Sequence, residues 1–371
     1  MADALKAIGL MSGTSLDGID AALVETDGER IVVSGPALSV PYDSAQRALL
    51  KSALAEAARA PVGAPMPEAV RSAEAMLTEA HREIIAALVG ASGLSPGEID
   101  IVGFHGQTIL HRPQERRTWQ IGDGAKLAAA LGIDVVTDFR VADVAAGGEG
   151  APFVPLYHAA LAGALGETGP VAVLNVGGVA NVTYVGTDTT VLAFDTGPGN
   201  APIDDWAQRH TGEPVDRDGA LARSGAVRED VLIAMLDHPY FTRPPPKSLD
   251  RMDFTFDAVA HLSPADGAAT LTAFTAAAIA RAIAHLPARP SRWIVCGGGR
   301  RNPQMMRELA KRLNAPVSSA EDAGWRGDFI EAEAFGYLAV RSLRGLPLSL
   351  PSTTGVPHPM PGGKLHRHGA G

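Results

Sequence analysis

Phe194-Asp-Thr-Gly-Pro-Gly-Asn200 concentrates chemistry in seven residues. Asp195 follows the apolar run Val191–Phe194, and two glycines and a proline follow it before a helix carrying Asp204 and Asp205. A carboxylate at a strand end, beside main-chain N–H groups, can accept a proton while a phosphate sits nearby. Phosphoryl transfer asks for that combination, a positioned base with charge stabilisation, rather than for covalent chemistry by the protein. The alternative is that Asp195 merely caps a turn. The glycine density around it favours the base.

A second candidate is the turn Gly13-Thr14-Ser15-Leu16-Asp17-Gly18. Its glycines admit an oxyanion close to the main chain, and successive N–H groups form an anion-binding concavity. Asp17 suits a hydrated Mg²⁺, which keeps its waters and takes few carboxylates. An ordinary hairpin turn uses the same residue types, and that alternative stays open. No Gly-Lys-Ser/Thr ends the turn, so it is not a P-loop. Asn175-Val-Gly177-Gly178 and Gly297-Gly298-Gly299 both follow apolar runs, where α/β folds bind nucleotides. No G-x-G-x-x-G opens a helix, which argues against a dehydrogenase. His105 and Gln107 follow the strand expected over Ile99–Phe104 and can meet sugar hydroxyls. Arg140 can grip a carboxylate with two parallel hydrogen bonds. The remaining histidines show no metal-ligand spacing.

The elements that must position these groups alternate between strand and helix, so the class is α/β. Strands are expected over Ala7–Leu10, Ile19–Val24, Ile99–Phe104, Ile133–Thr137, Val171–Val176, Val179–Val185, Val191–Phe194 and Trp293–Cys296. Helices are expected over about 43–90, 124–131, 201–211, 227–237, 266–286, 303–313 and 328–343. Two strand–glycine turn–strand pairs, one beginning at Ala7 and one at Val171, suggest an internal repeat. The tail from Leu346 is rich in Pro and Gly, and its end is expected to be mobile.

At 371 residues the chain exceeds one core, so two domains are expected. The boundaries read as 1–125 for an N-terminal α/β domain, completed by 345–371, and 126–344 for the second. A net charge of −9 without a long basic run excludes a nucleic-acid partner as the default. The single cysteine, Cys296, excludes an intrachain disulfide and reads as an inert core residue. The first residues lack a signal-peptide pattern, and no stretch reads as a membrane span, the alanine-rich 270–286 being broken by Thr and Arg. A cytoplasmic protein without a membrane partner is the expectation.

The motifs GLMSGTSLDGID (9–20), GFHGQT (103–108), GIDVVTDFR (132–140), DVAAGGEGAPFVP (143–155), LNVGGVANVT (174–183), FDTGPGN (194–200), DRDG (216–219) and VCGGG (295–299) occur in this order. Together they resemble the anhydro-N-acetylmuramic acid kinase family across essentially the whole chain. That resemblance implies a two-domain actin/hexokinase-like (ribonuclease H-like) fold with an interdomain ATP cleft. It implies a kinase that opens the 1,6-anhydro bond of its sugar and phosphorylates O6, in cell-wall recycling. By position, Gly13 to Asp20, Ile19 included, would hold the ATP phosphates, and Asp195 would activate water at the anomeric carbon. Glu331 would contact the sugar, with His105 and Gln107 in the substrate-side segment. ATP and Mg²⁺, and a homodimer, follow from the same resemblance. Where some relatives read Pro-Pro-Lys-Ser-Thr-Gly-Arg-Glu, this chain has Pro245-Pro246-Lys247-Ser248-Leu249-Asp250-Arg251-Met252, which puts rate or affinity in question but not the reaction class. The rivals are a kinase of the same fold for another sugar or small carboxylate, and a non-catalytic actin-type nucleotide-binding protein.

Overall fold

The structure, a computed structural model, describes residues 3–61, 63–249 and 253–369. Asp250 and Met252, two of the three positions that depart from the family pattern, lie outside the described residues, as does the retained Arg251. The chain divides into two compact units, residues 1–164 with 329–371, and residues 165–328.

In the first unit, β1 (Leu5–Ser12), β2 (Gly18–Thr26) and β3 (Val32–Pro41) form an antiparallel meander. Two helices follow, α1 (Ser44–Arg59) and α2 (Glu68–Ser92). They replace the single helical stretch expected over 43–90, because Pro61, Pro65 and Pro67 cannot continue a helix. Asp43 opens α1 with a capping box, its carboxylate accepting from Gln46 N while Gln46 accepts from Asp43 N. Next come β4 (Ile101–Arg112), its antiparallel partner β5 (Arg117–Ile121), α3 (Gly124–Leu131), β6 (Val135–Thr137), α4 (Val141–Ala145) and α5 (Pro155–Gly163). β4 lies parallel to β1, and β6 lies parallel to β4.

The second unit repeats this plan. β7 (Val171–Val176), β8 (Val179–Val185) and β9 (Val191–Pro198) form an antiparallel meander. Helices α6 (Ala201–Thr211), α7 (Ala220–Ser224), α8 (Glu229–Leu236) and α9 (Pro264–Ala282) lead to β10 (Arg292–Cys296), parallel to β7. Then α10 (Pro303–Leu313) leads to β11 (Val317–Ser319), parallel to β10. The chain returns to the first unit as α11 (Ile330–Leu343), α12 (Pro351–Thr354) and β12 (Lys364–His366), which pairs antiparallel with β6.

The spatial orders β3-β2-β1-β4-β6 and β9-β8-β7-β10-β11 are the same five-strand path with the same pattern of directions. The suspected repeat is therefore a duplicated module, and the fold is the two-domain actin/hexokinase-like, ribonuclease H-like one. The division falls elsewhere than the sequence boundaries at 125 and 344. β6 is hydrogen-bonded to β4, and α11 packs on β1, β2 and β4, so residues 126–164 and 329–344 belong with the first sheet. The tail likewise ends in a paired strand at Lys364–His366.

Strand alternation explains how the first sheet carries helices on both faces. Ile8 and Leu10 of β1 join the core with Leu50, Leu77 and Ile85 of α1 and α2. Gly9 between them faces α11 instead, where a Cβ would lie 1.8 Å from the Ala332 carbonyl oxygen. Gly103 of β4 does the same against Phe335 O, at 2.0 Å. The alanine-rich α9 is the core helix of the second unit. The segment Pro264–His285 is long and apolar enough to cross a membrane, but 78% of its apolar window is buried, with Leu271, Ala276 and Ile279 in the core.

Candidate active site

The turn between β1 and β2 is held from below. Leu16 N donates to Gly13 O, and Leu16 adopts φ 58° with its side chain in the core. Ile19 is also a core residue, so these two offer a ligand only their main chain. Thr14, Ser15 and Asp17 are exposed, and Gly13 and Asp20 are half-buried. Beneath the turn, buried Ser12 donates to Gln107 Oε1 at 2.5 Å and shares a 2.7 Å hydrogen bond with the Tyr42 hydroxyl. Gln107 Nε2 in turn donates to Gly13 O at 3.2 Å. Gln107 is thus fully buried support for the turn. Its amide is oriented by two sequence-distant partners, Ser12 and Gly13, that no local pattern could reveal.

His105 and Gln107 lie inside β4, not beyond a strand end. Gly106, at φ 72°, and a register shift against β1 let the strand continue through them. Arg140 donates from Nε to His105 Nε2 at 2.9 Å and from a terminal nitrogen to Gly150 O at 2.6 Å. Arginine can only donate, so His105 Nε2 is the bare nitrogen, and Nδ1 carries the proton it gives to Gly106 O at 2.7 Å. Burial, reinforced by the Arg140 charge, holds His105 well below the usual histidine range and therefore neutral. Burial lowers Arg140 itself to about 10, against the opposing pull of Glu331 and Asp143, and the guanidinium stays charged at neutral pH. Burial also raises the Glu331 carboxyl; Arg140 opposes that shift and Asp20 adds to it. His105, Arg140, Glu331 and Asp20 are therefore one electrostatic cluster within the first unit.

Asp143 deepens this arrangement. Its Oδ1 accepts from Gly150 N at 2.7 Å, and its Oδ2 accepts from the hydroxyls of Thr354, at 2.5 Å, and Ser349. With Arg140 it clamps both main-chain faces of Gly150.

In the second unit the three glycine turns meet. Asn200 N donates to Gly177 O at 2.7 Å, and Gly199 N to Gly178 O at 2.9 Å. Gly297, at φ 71°, sits where a Cβ would lie 2.2 Å from Asn175 Oδ1, and Gly299 packs on Val176. A Cβ at Gly298 would meet only Asn200 Nδ2, at 3.5 Å. Arg300 pins the group by donating to Gly297 O at 2.9 Å while pairing with Glu321 and Asp328. Asn175, Gly177, Gly178 and Gly297–Gly299 thus line one end of the parallel pair β7 and β10.

Asp195 lies within β9, paired in register with Asn181, rather than at a strand end. Its N–H donates to Lys247 O at 3.0 Å, its carbonyl accepts from Tyr240 Oη at 2.6 Å, and its Oδ2 accepts from Leu249 N at 2.9 Å. Burial and the Asp195 charge push the Tyr240 phenol up, so it remains a donor.

The family model for anhydro-N-acetylmuramic acid kinase matches residues 5–366. The chain belongs to that family. It is 56% identical to the anhydro-N-acetylmuramic acid kinase of Nitrobacter winogradskyi over 98% of this chain and 100% of that one. It is 55% identical to the one from Rhodopseudomonas palustris over 98% and 99%. A ROK family glucokinase from Streptomyces griseus, solved with glucose and AMPPNP, aligns over 90% of this chain and 99% of that one, with 14% identity and a TM-score of 0.41. Of the family's motifs, LNVGGVANVT, FDTGPGN and VCGGG fall in the second unit, and GLMSGTSLDGID, GFHGQT and DVAAGGEGAPFVP in the first.

Proposed function

We propose that this kinase hydrolyses the 1,6-anhydro bond of 1,6-anhydro-N-acetylmuramic acid and phosphorylates O6 with ATP, yielding N-acetylmuramate 6-phosphate for cell-wall recycling. Asp195 takes a proton from water, and the water oxygen attacks the anomeric carbon. The C1–O6 bond breaks with its electron pair moving to O6. O6 then attacks the γ-phosphorus, and the bond to ADP breaks. The family match over residues 5–366 carries this reading. Supporting it, Asp195 is a carboxylate whose main chain and one oxygen are held by three donor–acceptor contacts.

Arg140 and Glu331 are assigned to the sugar, with His105 holding Arg140 and Gln107 holding the turn at Gly13. His105, neutral and with both ring nitrogens engaged, orients the Arg140 guanidinium without adding a second titrating cation. The main chain from Gly13 to Asp20, with the Thr14 and Ser15 hydroxyls, is assigned to the ATP phosphates. Asn175, Gly177, Gly178 and Gly297–Gly299 are assigned to the adenosine. Among the described residues no group of three or more His, Cys, Asp or Glu side chains can hold a metal by itself. Mg²⁺ is assigned to arrive on the nucleotide, with exposed Asp17 orienting its water shell; the ion would neutralise phosphate charge. A homodimer in the cytoplasm completes the proposal.

Replacing Asp195 by Asn tests the base directly. ATP binding is expected to survive while turnover falls to background; unchanged turnover removes Asp195 from the mechanism. A panel of sugars tests the substrate, and phosphate transfer to ordinary N-acetylmuramate but not to the anhydro form rejects it.

A further inference from the structure

β9 is an edge strand of the second sheet, so the outward main-chain groups of alternate residues have no strand to pair with. At Asp195 those two groups are taken by a segment from far along the chain. Asp195 N donates to Lys247 O, and Asp195 O accepts from the Tyr240 hydroxyl. The segment closes on itself, because Lys247 Nζ donates to Tyr240 O at 3.0 Å. Lys247 is buried, at 5% exposure, and its ammonium rests over the Tyr240 ring at 4.6 Å and the Phe194 ring at 5.7 Å. Two residues on, Leu249 N donates to Asp195 Oδ2. A ring of contacts running Asp195–Lys247–Tyr240–Asp195 thus replaces the missing neighbour strand at one residue and brings a fourth contact to its carboxylate.

We propose that Tyr240 and Lys247 are positioning residues for Asp195, a tether that fixes its main chain and, through Leu249, the orientation of its carboxylate. The proposal rests on Asp195 being the base. An edge strand is the least constrained member of a sheet, whereas proton abstraction requires the carboxylate to be placed to a fraction of an ångström. Burying an ammonium costs more than burying a neutral side chain, and here its hydrogen bond is spent on the carbonyl of the residue whose hydroxyl grips Asp195. Among the described residues, Arg243 and Asp253 are further charged groups that act on this pair.

The experiment compares Tyr240→Phe, Lys247→Met, their double variant and Asp195→Asn. Each is assayed for kcat, for KM toward ATP and the anhydro sugar, for the pH profile of kcat, and for Tm. Tyr240→Phe keeps the ring and removes only the hydroxyl, so it reports even if Lys247→Met folds poorly. Each single variant is expected to lower kcat about tenfold with KM changed less than about twofold. The acidic limb of the profile is expected to move upward, because a loosened Leu249 N–H contact leaves the Asp195 carboxylate easier to protonate. The double variant should lose no more than the larger single, since both act through one ring. Wild-type kcat and an unmoved acidic limb in Tyr240→Phe, alongside an inactive Asp195→Asn, overturn the tether and leave the base intact. Losses that simply multiply in the double variant overturn it too. An active Asp195→Asn overturns the base assignment and the tether with it.

Discussion

Gly9→Ala asks whether the position of α11, and with it Glu331, is set by how closely that helix approaches the sheet. A Cβ at residue 9 would lie 1.8 Å from Ala332 O and 2.3 Å from Gly336 N, both main-chain atoms that cannot swing aside. Restoring even 3.0 Å, a separation below which real Cβ contacts essentially never fall, moves the helix by about 1.2 Å. Overpacking of this kind costs about 1–3 kcal/mol, and a backbone clash belongs at the upper end. For a chain of this size that is a Tm drop of roughly 1–4 °C. Ala332 adjoins Glu331, so the carboxylate moves with the helix, and a misplacement near 1 Å costs about a hundredfold in kcat/KM for the sugar. Calorimetry and steady-state kinetics read the two effects separately. Gly90→Ala in α2, where nothing lies within 4 Å, is the control and is expected to be neutral or stabilising by about 0.5–1 kcal/mol. A Gly9→Ala protein with wild-type Tm and kcat/KM would refute the reasoning.

Arg140→Lys keeps a charge but not the fork that reaches both His105 Nε2 and Gly150 O, so KM for the sugar should rise about tenfold or more, with ATP affinity unchanged. Equal effects on both substrates would contradict that assignment. His81 and His158 are buried with values near 4 and 3, while unfolded histidine titrates near 6.5. The unfolded chain therefore binds more protons below pH 6.5, and stability should fall as pH drops, by about 1.4 kcal/mol per pH unit per histidine, down to about pH 4 for His81. Urea titrations at pH 7, 6 and 5 measure the slope, and a flat profile contradicts it. Lys247 works in the other direction: burial, with Arg243 adding to it, lowers it to about 8, so the folded chain sheds its proton before the unfolded one. Stability from this residue should rise between about pH 8 and the ordinary lysine value, and Lys247→Met should abolish that rise.

The strand–glycine turn–strand pairs were legible in the sequence because β1, β2, β7 and β8 are apolar runs broken by glycine-bearing turns. β3 was not, since Val32–Pro41 is an edge strand interrupted by Gly35 and Pro36, with Val33 and Val40 exposed. The domain boundary was misplaced because periodicity names an element but not the sheet it joins. Only the pairing of β6 with β4 and the glycine contacts under α11 decide that. Within the site, the motif residues were legible and their supports were not. Tyr42 and Tyr240 act on residues 30 and 45 positions away and nothing local marks them, while Asp143 opens a legible motif but its hold on Ser349 and Thr354 is a property of the fold. Lys247 stood out only through the family pattern, while its hold on the Asp195 segment is a property of the fold.

Turnover in ¹⁸O-labelled water, followed by mass spectrometry of the phosphorylated sugar, bears most directly on the chemistry assigned to Asp195. The account predicts one labelled oxygen on the anomeric carbon and an unlabelled phosphate on O6. A product whose sugar carries no label, or whose label sits on phosphorus, would contradict it.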